Sequence, residues 1–201
     1  TNFLHGIPHF AISVALERAL TAAIEALDEV GFPYAIVGGL AAGAWGVNRS
    51  TRDADLYAQL RAGRRELLQK ALENRGFHVP AMDEELGRFG VFRSRSADDI
   101  FVDIFDAVGP LGEALLLHRR EISVFERKVW VTAPEELFLL KAFSDRARDF
   151  DDLVSLASRP ELKLNLEYIA QWAKALDQSI GSNEVSERVQ KALTARGSKT
   201  R

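Results

Sequence analysis

The 201-residue sequence has no cysteine and a single methionine. Without cysteine there is no disulfide and no thiolate metal site, which removes zinc ribbons and thiol nucleophiles together. Nor is there an uncharged apolar run of about 18 residues, the length a spanning helix needs. The opening stretch, TNFLHGIPHF, has no basic segment ahead of an apolar one, and its start on Thr1 reads as trimming. A cytoplasmic protein without a membrane partner is therefore expected. The formal net charge of -3 gives no global push toward nucleic acid, so any polyanion must meet a local patch. His5, His9, His78 and His118 are scattered and make no catalytic or metal set.

What the sequence does have is core-forming material, 47% hydrophobic residues, enough for one domain with a helical extension. AISVALERALTAAIEALDEV (11–30) is a helix stopped by Gly31, and RRELLQKALEN (64–74) is a second helix followed by Gly76. FPYAIVGG is a buried strand, LAAGAWGV begins a helix and ADLYAQL alternates as a strand. FHVP and FGVFRSR read as strands around a turn at MDEELG, and DDIFVDIFDAV is the most strongly β-patterned stretch. A helix near 112–120 and the strand KVWVTA follow. From Pro134, PEELFLLKAFSDRARDFDDLVSLA reads as one long helix, then LEYIAQWAKAL and NEVSERVQKALTA as two more before the basic tail RGSKTR. The expected fold class is α+β, a small mixed β-sheet with helices followed by a C-terminal helical region, with the boundary at 133/134.

Asp53 and Asp55 open the strand ADLYAQL. Two residues apart in a strand, they share one face with α-carbons roughly 6.6 Å apart. Like charges held so close call for a cation, although Arg49 or Arg52 would also serve. Asp103 lies between Val102 and Ile104, where an unpaired carboxylate is costly, so an arginine or a metal must compensate it, whereas Asp106 at the strand end is explained by solvation. Two acids on one strand and one on another would make an oxygen-only site for Mg²⁺. Gly38 and Gly39, at the start of a helix, let backbone amides approach a phosphate. There is no Gly-Lys-Ser/Thr ending and no G-x-G-x-x-G order, so neither a P-loop nor a dinucleotide fold fits.

VGGLAAGAWGVNRSTRDADL resembles the signature of the DNA polymerase beta-like nucleotidyltransferase superfamily: strand, Gly-Gly, short helix, then Thr-x-Asp-x-Asp opening the next strand. The resemblance implies a nucleotidyltransferase core over 1–133 and a helical region over 134–201 that completes the nucleotide site. It implies that Asp53, Asp55 and Asp103 are catalytic ligands of Mg²⁺ or Mn²⁺, and that Gly38 and Gly39 contact a nucleoside triphosphate, with Ser50, Thr51 and Arg52 beside it. KAFSDRARDFDDL resembles a segment of the AbiE-type (AbiEii-like) toxins of toxin-antitoxin pairs. Through it Lys141 becomes a catalytic nucleotide-phosphate contact. Arg148, or Arg146 in a shifted register, joins it, with Asp149 or Asp152 in support. Read as one helix, the segment aligns Lys141, Asp145, Arg148 and Asp152 in a polar stripe.

The expected reaction is metal-dependent transfer of a nucleoside monophosphate to an acceptor hydroxyl, with Asp103 also placed to take the acceptor's proton. The toxin resemblance favours an RNA acceptor, the 3′ end of a tRNA, and an antitoxin protein as partner. RAGRRELLQKALENR and Trp45, Trp130 and Trp172 offer weak support as phosphate-binding and base-stacking elements. The alternatives are a small-molecule or protein acceptor, as in antibiotic-modifying or antitoxin members of the superfamily, or a non-catalytic nucleotide-binding module.

Overall fold

The computed structural model describes residues 12–81, 90–124 and 127–195. The described residues divide into two compact units: one takes residues 12–41 and those between Arg49 and Thr132, the other takes Ala42–Asn48 and residues 133–195.

The first unit is built on a sheet. Helix α1 (Val14–Val30) begins where the Ser13 hydroxyl accepts the Leu16 N–H at 3.1 Å, and ends at Gly31 in the left-handed conformation, φ +74°. There follow β1 (Tyr34–Ile36), α2 (Gly38–Ala44), β2 (Ala54–Ala58), α3 (Arg65–Glu73), β3 (Val91–Arg95), β4 (Phe101–Asp106), α4 (Gly109–His118), β5 (Arg120–Val124) and β6 (Arg127–Val131). The strand order is β3-β4-β2-β1-β6-β5. β2 runs parallel to β4 and β1 parallel to β6, while β1–β2, β3–β4 and β5–β6 are antiparallel. Alternation explains the two faces of β2 and β4. Ala54, Leu56, Ala58, Val102 and Ile104 are buried, and α1 packs against β2, β4 and α3; Asp55, Tyr57, Asp103 and Phe105 occupy the opposite face.

The second unit is helical: α5 (Pro134–Phe143), α6 (Ala147–Ala157), α7 (Leu166–Ile180) and α8 (Glu184–Ala195). α5 packs on the other three helices, around Leu137, Phe138, Leu153, Leu156, Ile169 and Val189. The Arg159 guanidinium donates to the Gly46 carbonyl, tying 42–48 to this unit. Buried Asp177 near the end of α7 accepts the Val185 and Ser186 N–H groups at 2.9 and 3.1 Å, and so satisfies the first turn of α8.

Several expectations from the sequence need correction. The long helix from Pro134 is two helices, because Ser144 and Arg146 adopt extended backbone with ψ of 138° and 132°. β5 was not expected; of its five residues only Ile122 is buried, so it carries little apolar signal. FHVP forms no strand, only an isolated bridge from His78 to Arg95. Helix α2 opens on the glycines themselves rather than after them. MDEELG, the tail RGSKTR, His5 and His9 lie outside the described residues. Among the described residues no helix is long and apolar enough to cross a membrane.

The Asp177 cap predicts that Asp177→Ala, which orphans two N–H groups, lowers stability by about 1–2 kcal/mol. Urea unfolding checks this as a reduced midpoint with an unchanged slope.

Candidate active site

Register brings the acids together. In the parallel β2–β4 ladder Asp55 is the partner of Asp103, and in the antiparallel β3–β4 ladder Asp103 is the partner of Arg93. The three side chains form a row across adjacent strands, two negative and one positive. Asp103 is 7% exposed, and its two carboxylate oxygens accept from Arg93 Nε at 2.7 Å and Nη2 at 2.6 Å. This two-point pairing is the compensation its burial demands. The guanidinium also lies 5.1 Å from the centroid of the Phe101 ring. Hydrogen bonding to Asp103 raises the Arg93 pKa; partial burial opposes this, and the charges of Asp103, Asp53 and Asp55 add to it. All three acids therefore act on one guanidinium. In the next row Tyr57 stacks on Phe105, with centroids 5.2 Å apart and planes at 15°. Burial, then the Asp55 charge, pushes the Tyr57 phenol up from its ordinary pKa.

Asp53 is exposed and immediately precedes β2, and its carbonyl accepts the Thr51 hydroxyl at 3.2 Å. Asp55 is locked to the turn after β1, its carbonyl accepting the Val37 N–H at 2.9 Å. Its side chain packs on Gly38, whose φ is +61° and where a Cβ would lie 2.7 Å from Asp55 Cγ. At Gly39 a Cβ would lie 2.9 Å from Thr51 Oγ1 and 3.2 Å from Arg49 Cζ. Both glycines are thus required by the segment 49–55 folding back on them, a reason the sequence did not reveal. Ser50 and Arg52 are exposed on that segment.

Of the acids that the resemblance makes metal ligands, Asp55 and Asp103 are ladder partners and Asp53 immediately precedes β2. Among the described residues no three acidic or histidine side chains form a group that could hold a metal ion, and both oxygens of Asp103 are engaged by Arg93. Arg93 is the residue that the sequence reading missed. Its only signal was the alternation of VFRSR, which does not say which acid it would face.

In the helical unit, the break after Phe143 changes the partners of Lys141. Its Nζ lies 2.5 Å from Asp149 Oδ1 and 2.9 Å from Asp152 Oδ2, and the three residues are 4%, 3% and 3% exposed. The expected stripe through Asp145 and Arg148 does not form, because the helix ends at Phe143 and the next begins at Ala147, leaving Asp145 in the break and Arg148 beyond it. Asp149 also accepts from the Ser144 hydroxyl and Arg146 Nε, each at 2.6 Å. Burial alone would raise its pKa, but the hydrogen bonds from Lys141, Ser144 and Arg146 outweigh it and hold the carboxyl at about 2. Asp106 is not merely solvated: it accepts from Arg65 at 2.8 Å and from the Leu60 N–H at 3.1 Å. Arg75 pairs with Glu29 at 2.8 Å, so two arginines of the basic helical stretch serve the fold. Trp45, Trp130 and Trp172 are half-buried; Trp130 lies under the Arg119 guanidinium and Trp172 against Tyr168.

The sequence profile of a family described as "Nucleotidyl transferase of unknown function (DUF2204)" matches residues 16–193. No curated protein matches the chain. Solved structures share its fold at low identity. One is the lincosamide antibiotic adenylyltransferase LnuA, lincomycin-bound, with a TM-score of 0.50 and 15% identity over 70% of this chain and 95% of that one. Another is the antibiotic-resistance factor ANT(2'')-Ia, with a TM-score of 0.51 and 19% identity over 90% of each chain. A third, JHP933 from Helicobacter pylori, has a TM-score of 0.51 and 17% identity over 93% of this chain and 92% of that one.

Two outcomes follow from this geometry. Gly38→Ala forces Asp55 off its seat and strains a left-handed residue by about 1–2 kcal/mol; thermal unfolding and label-transfer assays should show a modest loss of stability and a larger loss of activity. Because the Asp149 pKa is lowered from 3.8 to about 2 on folding, its contribution to stability is complete above the unfolded value and disappears as pH falls from about 4 to 2. Asp149→Asn should flatten the acid limb of the stability profile in that window.

Proposed function

The chain belongs to the DUF2204 nucleotidyl transferase family, matched over residues 16–193, and on that premise we propose that the β2–β4 acid face is where a nucleoside monophosphate is transferred from a triphosphate to an acceptor hydroxyl. The observation that carries this reading is the row Asp55–Asp103–Arg93 seated against Gly38. The acceptor oxygen bonds to the α-phosphorus, the bond to the bridging oxygen breaks, pyrophosphate leaves and the hydroxyl proton passes to a carboxylate. Asp103 is one such carboxylate, and its pairing with Arg93 disfavours its protonation. Asp53 is the exposed acid of the face. The triphosphate, carrying its own divalent cation, meets the first turn of α2 at Gly38 and Gly39, whose N–H groups have no intrahelical acceptor, with Ser50, Thr51 and Arg52 alongside. Catalysis of this kind rests on positioning and charge, without a covalent enzyme intermediate. Within the helical unit Lys141 is held by Asp149 and Asp152, and Arg148 is exposed on the same unit.

For the acceptor, a polar small molecule is the better-supported reading. Arg65 and Arg75 are paired within the fold, which weakens the basic stretch as an RNA contact, and the face itself carries three acids. LnuA is described as a lincosamide adenylyltransferase, a small-molecule precedent on this fold. An RNA 3′ end as acceptor, with an antitoxin as partner, is the second reading, favoured by the AbiE-like segment KAFSDRARDFDDL.

Purified protein is to be incubated with each α-labelled nucleoside triphosphate and Mg²⁺ or Mn²⁺, against hydroxylated antibiotics and against total RNA. Label should move to a small molecule. Chelation with EDTA should stop transfer, and Asp53→Asn or Asp55→Asn should reduce it by about 10²- to 10³-fold. Label moving only to RNA would support the second reading, and no transfer to any acceptor would contradict both.

A further inference from the structure

The carboxylate that the polymerase-like pattern assigns to a metal ion already has a cation. Arg93 engages both oxygens of Asp103 at 2.6 and 2.7 Å, at the end of a row in which Asp103 stands directly opposite Asp55. We infer that Arg93 is the resident counter-cation of the acid face, and that a divalent cation competes with this guanidinium for Asp103. The inference rests on the nucleotidyl-transfer reading for the identity of the incoming cation.

The two partners differ in how free they are to move. The Asp103 side chain is 10% exposed and belongs to β4, flanked by β3 and β2; the Arg93 side chain is 58% exposed and belongs to β3, at the end of the strand order. When the pair opens, the arginine is therefore the part that leaves. The guanidinium also lies 5.1 Å from the centroid of the Phe101 ring, a weaker π-face contact that it makes while paired and that does not depend on Asp103. The pairing lets the chain fold with its acids compensated before any cation arrives. It also leaves a positive charge beside the face when a triphosphate is present.

Arg93 thus opposes the binding of a bare divalent ion. Had its task been to orient Asp103 as a ligand, its loss would weaken such binding. The experiment is Mn²⁺ binding to the full chain without nucleotide, read as loss of the free-Mn²⁺ electron paramagnetic resonance signal. It is made on wild type, Arg93→Gln, Arg93→Lys and the Arg93→Gln/Asp103→Asn double variant, with thermal unfolding recorded for each. Arg93→Gln should bind Mn²⁺ roughly ten- to a hundredfold more tightly than wild type, the range set by a charge-assisted hydrogen-bonded pair. Arg93→Lys, whose point charge cannot fork onto both oxygens, should fall between them. The gain should vanish in the double variant. Equal or weaker binding by the Arg93 variants, or no binding by any of them, overturns the inference; should Arg93→Gln not fold, Arg93→Lys decides it. Label transfer by wild type is read separately. Tighter binding with no transfer contradicts the nucleotidyl-transfer reading, and transfer without tighter binding contradicts the competition.

Discussion

Two carboxylates directly opposite each other on neighbouring parallel strands are the constraint around which the sheet unit is organised. Asp55 and Asp103 stand about 5 Å apart along the ladder direction, close enough for strong repulsion unless a cation intervenes. Each neighbouring strand contributes to making that tolerable. The β3–β4 register delivers the Arg93 guanidinium to Asp103, and the β1–β2 register delivers Gly38, whose missing Cβ gives the Asp55 side chain its space. A shift of one residue in any of these three pairings would send a member of the row to the apolar face.

The helical unit solves a similar problem within itself. Lys141 would be unacceptable in so apolar a setting if alone, and the break between α5 and α6 brings Asp149 and Asp152 to it. Asp149 in turn holds Ser144 and Arg146, the residues of the break, so the interruption and the ion cluster sustain each other. Such a buried cluster specifies a geometry more than it adds stability. Removing one member would leave uncompensated charge, whereas replacing all of them with well-packed apolar residues would cost far less.

Much of the candidate site was legible because its parts are close in sequence or stand out from their surroundings. Gly38 and Gly39 after an apolar strand, Asp53 and Asp55 at the mouth of the next one, and Asp103 inside IFVDIFD all break a local pattern, and a broken pattern is a readable signal. The mixed sheet with a helical C-terminal part was legible from the change of period along the chain. Arg93 was not, because its role depends on a cross-strand register that alternation alone does not set. The break at Ser144 was hidden for a different reason: SDR contains neither glycine nor proline, and the tertiary demand of a buried lysine overrides a weak helical preference. β5 escaped because an edge strand with one buried residue has almost no hydrophobic period.

We propose that nucleotide and divalent cation meet the chain at the Gly38 turn and the β2–β4 acid face. The most direct measurement is paramagnetic broadening of backbone amides in ¹⁵N-labelled protein titrated with Mn²⁺ and a non-hydrolysable nucleoside triphosphate. Broadening should concentrate on Gly38–Leu40, Asp53–Tyr57 and Val102–Ile104, and weaken with distance from them. Broadening centred elsewhere, with these amides unaffected, would contradict it.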